Sequence, residues 1–283
     1  MEISNLTFIV TDDCNFNCSY CFQKKEKKTI SNKIIKTAVD FFYPFFKSDE
    51  NVHIGFYGGE PLLAFEQIRY AVRLLMGKNK TGNKHIEFSL TTNGSLLTDE
   101  MLDFFNRHRF ALMLSFDGLA QDIGRQQGTM EKTVSLLKRA APAAHDVAKR
   151  YSAHKKSSHE NKIAVHSGTA YPGIDFEINS VFSPLTINLF SQSLQFIIEQ
   201  GGTDINFDIS TIEEWSRDEL NILEAELKKL ADFLPTYYKK TGRIPVKNFR
   251  TRKACAKPGI FRCSAGKEQM AVTPGGDVYG CFL

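Results

Sequence analysis

No run in this 283-residue chain approaches the ~18 consecutive apolar residues needed to cross a bilayer, which excludes a membrane-spanning helix. Residues 1–13 lack a basic segment followed by an apolar stretch and a cleavage site, so nothing marks the chain for secretion. The cytosol is the expected compartment. A strong charge imbalance is missing as well: 36 basic against 32 acidic residues leave +4, too little to imply a nucleic-acid partner. The local basic run Lys24-Lys25-Glu26-Lys27-Lys28 reads as a solvated loop. Global disorder is excluded too, because 42% apolar and 24% charged residues are the proportions of a folded globular protein.

Cysteine is absent from the whole interval between Cys21 and Cys255. The six cysteines form two groups, Cys14, Cys18 and Cys21, then Cys255, Cys263 and Cys281. In a reducing compartment tight cysteine clusters argue for metal rather than disulfides. The long gap means that the groups serve separate sites or meet only through the fold.

What is present is a regular alternation of strand-like and helix-like segments. Strands are expected over 6–11, 52–57, 85–92, 110–116, 174–182 and 204–209. Helices are expected over 31–46, 64–76, 98–107, 129–140, 188–200 and 216–240. Six β/α units in a row argue for a parallel sheet with helices outside, either a doubly wound open sheet or an incomplete barrel. In both, chemistry gathers at the carboxyl ends of the strands. The stretch 141–173 breaks the alternation. It holds His145, His154, His159 and His166, but their irregular spacing and the lack of supporting carboxylates favour an exposed insertion over a metal site. Residues 242–253 read as a basic linker, and 269–273 with 277–282 flank Pro274-Gly275-Gly276 as a hairpin. The chain stops at Leu283 in the middle of an apolar strand, and a fragment of a longer protein is expected.

Cys14-x3-Cys18-x2-Cys21 follows the first strand directly. Three thiolates within eight residues can wrap one soft-metal centre, whereas a structural zinc site usually takes four protein ligands. Three thiolates on a four-iron cluster leave one iron open to a small molecule. With Tyr20 immediately before the last cysteine, the loop from Asp13 to Cys21 resembles the signature of the radical SAM superfamily. Gly58-Gly59-Glu60-Pro61, after the second strand, is similar to the family motif that holds the methionine amine of S-adenosylmethionine. The resemblance also places Asn93 after the third strand, and Ser115 and Asp117 beside the cofactor's sugar or methionyl part. Arg125 would pair with its carboxylate and Asn179 would touch the adenine.

The resemblance implies an α/β fold: a partial (β/α)6 TIM-like barrel with a C-terminal, incomplete β-hairpin extension of the SPASM or twitch type. The core would span 1–241, with the insertion at 141–173, and 242–283 would be the linker and a truncated auxiliary-cluster domain. The implied cofactors are a 4Fe–4S cluster and S-adenosylmethionine, cleaved to methionine and a 5′-deoxyadenosyl radical that removes hydrogen from a substrate. An external one-electron reductant of flavodoxin or ferredoxin type is implied as well.

Cys263, Gly276 and Cys281 resemble the opening of a SPASM domain, and Cys255 fits a further ligand of an auxiliary Fe–S cluster. Core plus SPASM implies a peptide or protein substrate and favours a ribosomal-peptide maturase. Sulfatase-maturing relatives carry an aspartate base after the cysteine matching Cys281; Phe282 stands here, which weighs against formylglycine formation. No catalytic residue is assigned. A radical SAM enzyme acting on a small molecule or sugar is the rival enzyme reading, and a non-catalytic scaffold that keeps its clusters for structure is the rival from outside enzymes.

Overall fold

The computed structural model describes residues 2–48, 51–140, 176–250 and 263–281. Six strands pair side by side in chain order, each parallel to the next: β1 (Asn5–Thr11), β2 (Asn51–Gly58), β3 (His85–Thr92), β4 (Ala111–Ser115), β5 (Phe176–Phe182) and β6 (Ile205–Ile209). The intervening helices are α1 (Asn32–Phe42), α2 (Phe65–Gly82), α3 (Asp99–Arg107), α4 (Gln121–Gly124), α5 (Met130–Ala140) and α6 (Phe190–Glu199), with α7 (Arg217–Thr241) after β6. A doubly wound sheet reverses its strand order at a switch point. Here β1 to β6 run in unbroken order, so the sheet winds one way as a partial barrel. Among the described residues no ladder joins β6 to β1, and the barrel is open.

Local chemistry sets the element ends. Ser31 caps α1 by accepting the Ile34 N–H, and Pro44, which has no N–H, cuts the helix to a short 3₁₀ turn. Ser216 and Glu219 form a full capping box at the start of α7. Helix α2 runs to Gly82, six residues past the expected end at 76. Its last turn closes on Asn83 at φ 46°, where the Asn79 side chain bonds both the N–H and the carbonyl of Lys84.

Strand alternation separates two faces. One side of the sheet packs on the helices: Val52, Ile54 and Phe56 of β2 are buried, and Phe56 stacks near Phe88 and Phe110 at 6.4 and 5.8 Å. Phe65 of α2 meets Phe104 and Phe105 of α3 edge-on at 5.4 and 5.7 Å. Each such ring contributes ~1.5–3 kcal/mol through burial. The opposite, concave side carries Thr7, Gly55, Ser89, Met113, Asn179 and Asp208, which leaves a hollow of mixed polar and apolar lining rather than a second core.

One expectation is corrected here. Residues 242–250 are not a free linker: Val246 bridges Ile205 and is fully buried, while Lys247 and Arg250 pair with Asp204 at 3.3 and 2.7 Å. Lys247 also reaches Glu177 at 2.7 Å, so the segment covers the open β6 edge. The hairpin, β7 (Gln269–Val272) and β8 (Val278–Tyr279), forms with Gly276 at φ +90° in its turn. It extends the core sheet itself, to eight strands, because β7 pairs parallel to β1.

Candidate functional site

A cavity of about 700 Å³ opens at the carboxyl ends of the strands. Cys14, Cys18 and Cys21 all line it, on the loop that leaves β1. Burial pushes the Cys14 and Cys18 thiols above their ordinary range; the Phe16 N–H and Lys25 pull the first down, and Arg125 the second. Among the described residues no three carboxylate, imidazole or thiol groups gather closely enough to hold a single ion. Three thiols on the wall of one cavity suit a polynuclear cluster, in which three irons each take one thiolate and the fourth is left open.

The loop is held from several sides. The Asn15 amide donates to Ser95 at 2.8 Å and its carbonyl accepts from Asn93 at 2.9 Å. The Ser19 N–H donates to the Gly124 carbonyl at 2.8 Å, and Lys25 Nζ to the Phe16 carbonyl at 2.6 Å. The Phe16 N–H already points at Cys14 Sγ, 3.4 Å away. Tyr20 donates its hydroxyl to Asp117 Oδ2 in a buried bond.

The two glycines at the end of β2 act on this loop. A Cβ on Gly58 (φ +144°) would lie 2.2 Å from the Thr11 carbonyl oxygen, and one on Gly59 would lie 2.2 Å from that of Asp13. Both glycines also line the cavity. Glu60 differs from its expected place. Its carboxylate is buried, off the cavity wall, and accepts from Leu62 N–H, Thr92 hydroxyl and Asn93 N–H at 3.0, 2.7 and 2.8 Å. Burial pushes this carboxyl up and those three donors oppose it. Glu60 therefore ties β2 to the end of β3 and caps the 3₁₀ turn begun by Pro61 instead of facing an ammonium in the cavity.

Asp117 is displaced from its expected role in the same way. Fully buried and off the cavity wall, it accepts from Arg125 Nη2 and the Val181 N–H at 2.9 Å each, and from Tyr20. Asn93 does line the cavity, but its side chain is engaged by Asn15 and Ser95. Tyr20, Ser115, Arg125 and Asn179 all reach the cavity wall. Arg125 lies over the Tyr20 ring at 5.4 Å. Burial disfavours its charge most, but Asp117, Tyr20 and Cys18 together outweigh that and hold the guanidinium protonated. Its Nε is a buried donor without an acceptor among the described residues.

The model of the radical SAM superfamily matches residues 8–175. The chain belongs to that superfamily. Membership makes it an enzyme of the radical SAM kind and carries a 4Fe–4S cluster and S-adenosylmethionine as its cofactors. An uncharacterised protein of Methanocaldococcus jannaschii is 24% identical over 99% of the chain and 85% of its own length. A cysteine-type anaerobic sulfatase-maturating enzyme of Clostridium perfringens is 28% identical over 45% of the chain, and the match spans 37% of that enzyme. A GTP 3′,8-cyclase of Aliarcobacter butzleri is 27% identical over 50% of the chain and 43% of its own length. Among solved structures, native anSMEcpe with bound AdoMet and the Cp18Cys peptide superposes with a TM-score of 0.69 at 19% identity, over 100% of this chain and 74% of that one. That likeness is one of fold.

The residues present fit the radical SAM cofactors: three thiols on one wall, two glycines whose bare backbone borders the hollow, and an unmet guanidinium donor beside them. Among the described residues no helix is long and apolar enough to cross a membrane. In the second cysteine group, Cys263 is exposed and Cys281 half-buried, and Cys255 lies outside the described residues, as do the 141–173 insertion and Phe282. A Cβ on Gly280 would lie 2.5 Å from the Gly266 nitrogen, so the segments bearing Cys281 and Cys263 pass in close contact. Sequence reasoning missed Tyr57 and Asp208, both on the cavity wall. The signal available was strand parity: each stands in register with other concave-face positions.

Proposed function

We propose that this radical SAM enzyme removes a hydrogen atom from a peptide or protein side chain, as a maturase of ribosomal peptides. The observation that supports this reading most is the hairpin β7–β8. It brings the SPASM-like cysteine segment onto the edge of β1, the strand that launches the cluster loop. A wide mouth is the second support, since Phe22 and Ile212 line the cavity yet remain 50% and 53% exposed, leaving apolar surface for an extended chain. When bound, the cluster and S-adenosylmethionine supply a 5′-deoxyadenosyl radical. The bare backbone of Gly58 and Gly59 borders the methionine amine, Arg125 meets the carboxylate, and Ser115 and Asn179 take the sugar and adenine. Cys14, Cys18 and Cys21 hold the core cluster, and Cys255, Cys263 and Cys281 an auxiliary one. The core runs through the anchored segment 242–250 and the residues after it form the auxiliary-cluster segment, with the electron delivered by an external flavodoxin or ferredoxin.

Deuterium transfer tests the substrate class. The anaerobically reconstituted, reduced protein is given S-adenosylmethionine with a perdeuterated peptide digest, or with perdeuterated nucleotides and sugars. The expected result is deuterium in 5′-deoxyadenosine from the peptide fraction alone. Label arriving only from nucleotides or sugars would move the enzyme to small-molecule chemistry.

A further inference from the structure

Among the described residues on the wall of the cavity, Asp208 alone bears a carboxylate. It stands on β6, the open edge of the barrel, directly opposite Val181 of β5 in the register. Asn206, two places earlier, faces Asn179 in the same way, so both polar residues of β6 share the concave side.

Asp208 has little to hold it. Its hydrogen bond among the described residues is a long one, 3.3 Å from Asn206 Nδ2, and no lysine or arginine among them forms an ion pair with it. The cations of the cavity wall are already engaged, Arg125 by Asp117 at 2.9 Å and Lys25 by the Phe16 carbonyl at 2.6 Å. Burial pushes the Asp208 carboxyl upward. An exposed carboxylate on a cavity wall, with one long hydrogen bond and no cation beside it, favours a ligand that brings a charged donor.

Its position relative to the cluster loop follows from Tyr57. Burial does most to push the pKa of that phenol up; the charges of Cys21 and Asp208 add to the rise and Arg125 lowers it. Tyr57, the last cluster cysteine Cys21 and Asp208 all line the same cavity. Ile212, exposed on the same wall four residues on, offers apolar surface to a long aliphatic stem.

We propose that Asp208 binds a positively charged N–H group, a lysine ammonium or arginine guanidinium, of the peptide substrate and so sets which neighbouring residue faces the reacting centre. This rests on the peptide reading above, and it names a substrate class within it: peptides with a basic residue near the modified position. A neutral substrate would gain only the weaker hydrogen bond of an uncharged donor from this carboxylate, and an acidic one would be repelled.

The test is a binding selection from a degenerate heptapeptide library by the anaerobically reconstituted protein with S-adenosylmethionine bound, read by mass spectrometry of the retained peptides. The wild type should enrich Lys and Arg about tenfold over the input, the scale of one hydrogen bond to a charged group. Asp208→Asn should return that ratio to the input value, and Asp208→Glu should keep most of it, a rescue that a purely structural role would not produce. Equal enrichment by Asp208→Asn, or none by the wild type, overturns the inference and leaves the peptide reading standing. Loss of S-adenosylmethionine binding in Asp208→Asn would assign the carboxylate to the cofactor and overturn it as well. If the wild type retains no peptide of any composition, the peptide reading fails and takes this inference with it.

Discussion

Gly59→Val is expected to strip the protein of its core iron, not merely to weaken cofactor binding. The missing Cβ of Gly59 would sit 2.2 Å from the Asp13 oxygen, 2.6 Å from the Asp13 carbonyl carbon and 3.0 Å from Cys14 Cβ. Two of those contacts are backbone atoms, which cannot swing aside as a flexible side chain can. The same stretch is knitted to β1 by Gly59 N–H to the Thr11 carbonyl at 2.9 Å and Glu60 N–H to the Asp13 carbonyl at 2.8 Å. A branched side chain therefore moves Cys14 itself, at a cost of ~1–3 kcal/mol or more from overpacking. Iron and sulfide content after anaerobic reconstitution measures this, with far-UV circular dichroism to confirm that the barrel has folded. Full core iron with S-adenosylmethionine cleavage lost would return Gly59 to a role in ligand approach alone.

Asp117→Ala should be the most destabilising single change at the site. It leaves the Arg125 guanidinium buried without its counter-charge, and it also removes the acceptor of the Tyr20 hydroxyl and of the Val181 N–H. Breaking a buried pair on one side costs ~3–5 kcal/mol, because the remaining charge is stranded. Tyr20 adjoins Cys21, so the cluster loop loses its deepest tie at the same time. Urea unfolding of the apoprotein should show the midpoint falling without a change in slope, and reconstitution should give less core iron. The pair behaves as a unit, so Asp117→Ala combined with Arg125→Met should recover part of the loss. Additive losses in the double variant would mean that Asp117 and Arg125 are not coupled.

The ladder of strands was legible because its cues are local: turn residues after each strand, caps at Ser31 and Ser216, and apolar runs of the right length. Strands β3 and β2 lie where their patterns put them, within a residue. The winding of the sheet was not legible from periodicity, since open and barrel-like arrangements share the same β/α alternation; pairing order decides it. The cysteine loop was legible through its spacing. The roles of Glu60 and Asp117 were not, because both sit at turns where a carboxylate can face the ligand or the protein, and only packing tells which. In both cases N–H donors from the next strand or its loop, Asn93 for Glu60 and Val181 for Asp117, capture the oxygens first. Residues 242–250 looked irregular by composition, and their anchoring arises from tertiary ion pairs that no local pattern announces. Asp208 was hidden inside a strand segment, where its direction depends on register.

The central claim, that Cys14, Cys18 and Cys21 hold a cluster that opens S-adenosylmethionine in this cavity, has one direct test. It is electron paramagnetic resonance of the reduced, anaerobically reconstituted protein with and without S-adenosylmethionine, run beside 5′-deoxyadenosine release, for the wild type and for the Cys14→Ala, Cys18→Ala, Cys21→Ala variant. The wild type should show a 4Fe–4S signal that shifts when S-adenosylmethionine is added, and it should release 5′-deoxyadenosine. The triple variant should lose the shifting signal and the product together, whatever iron the second cysteine group retains. A triple variant that keeps a signal responsive to S-adenosylmethionine and still forms 5′-deoxyadenosine would contradict it.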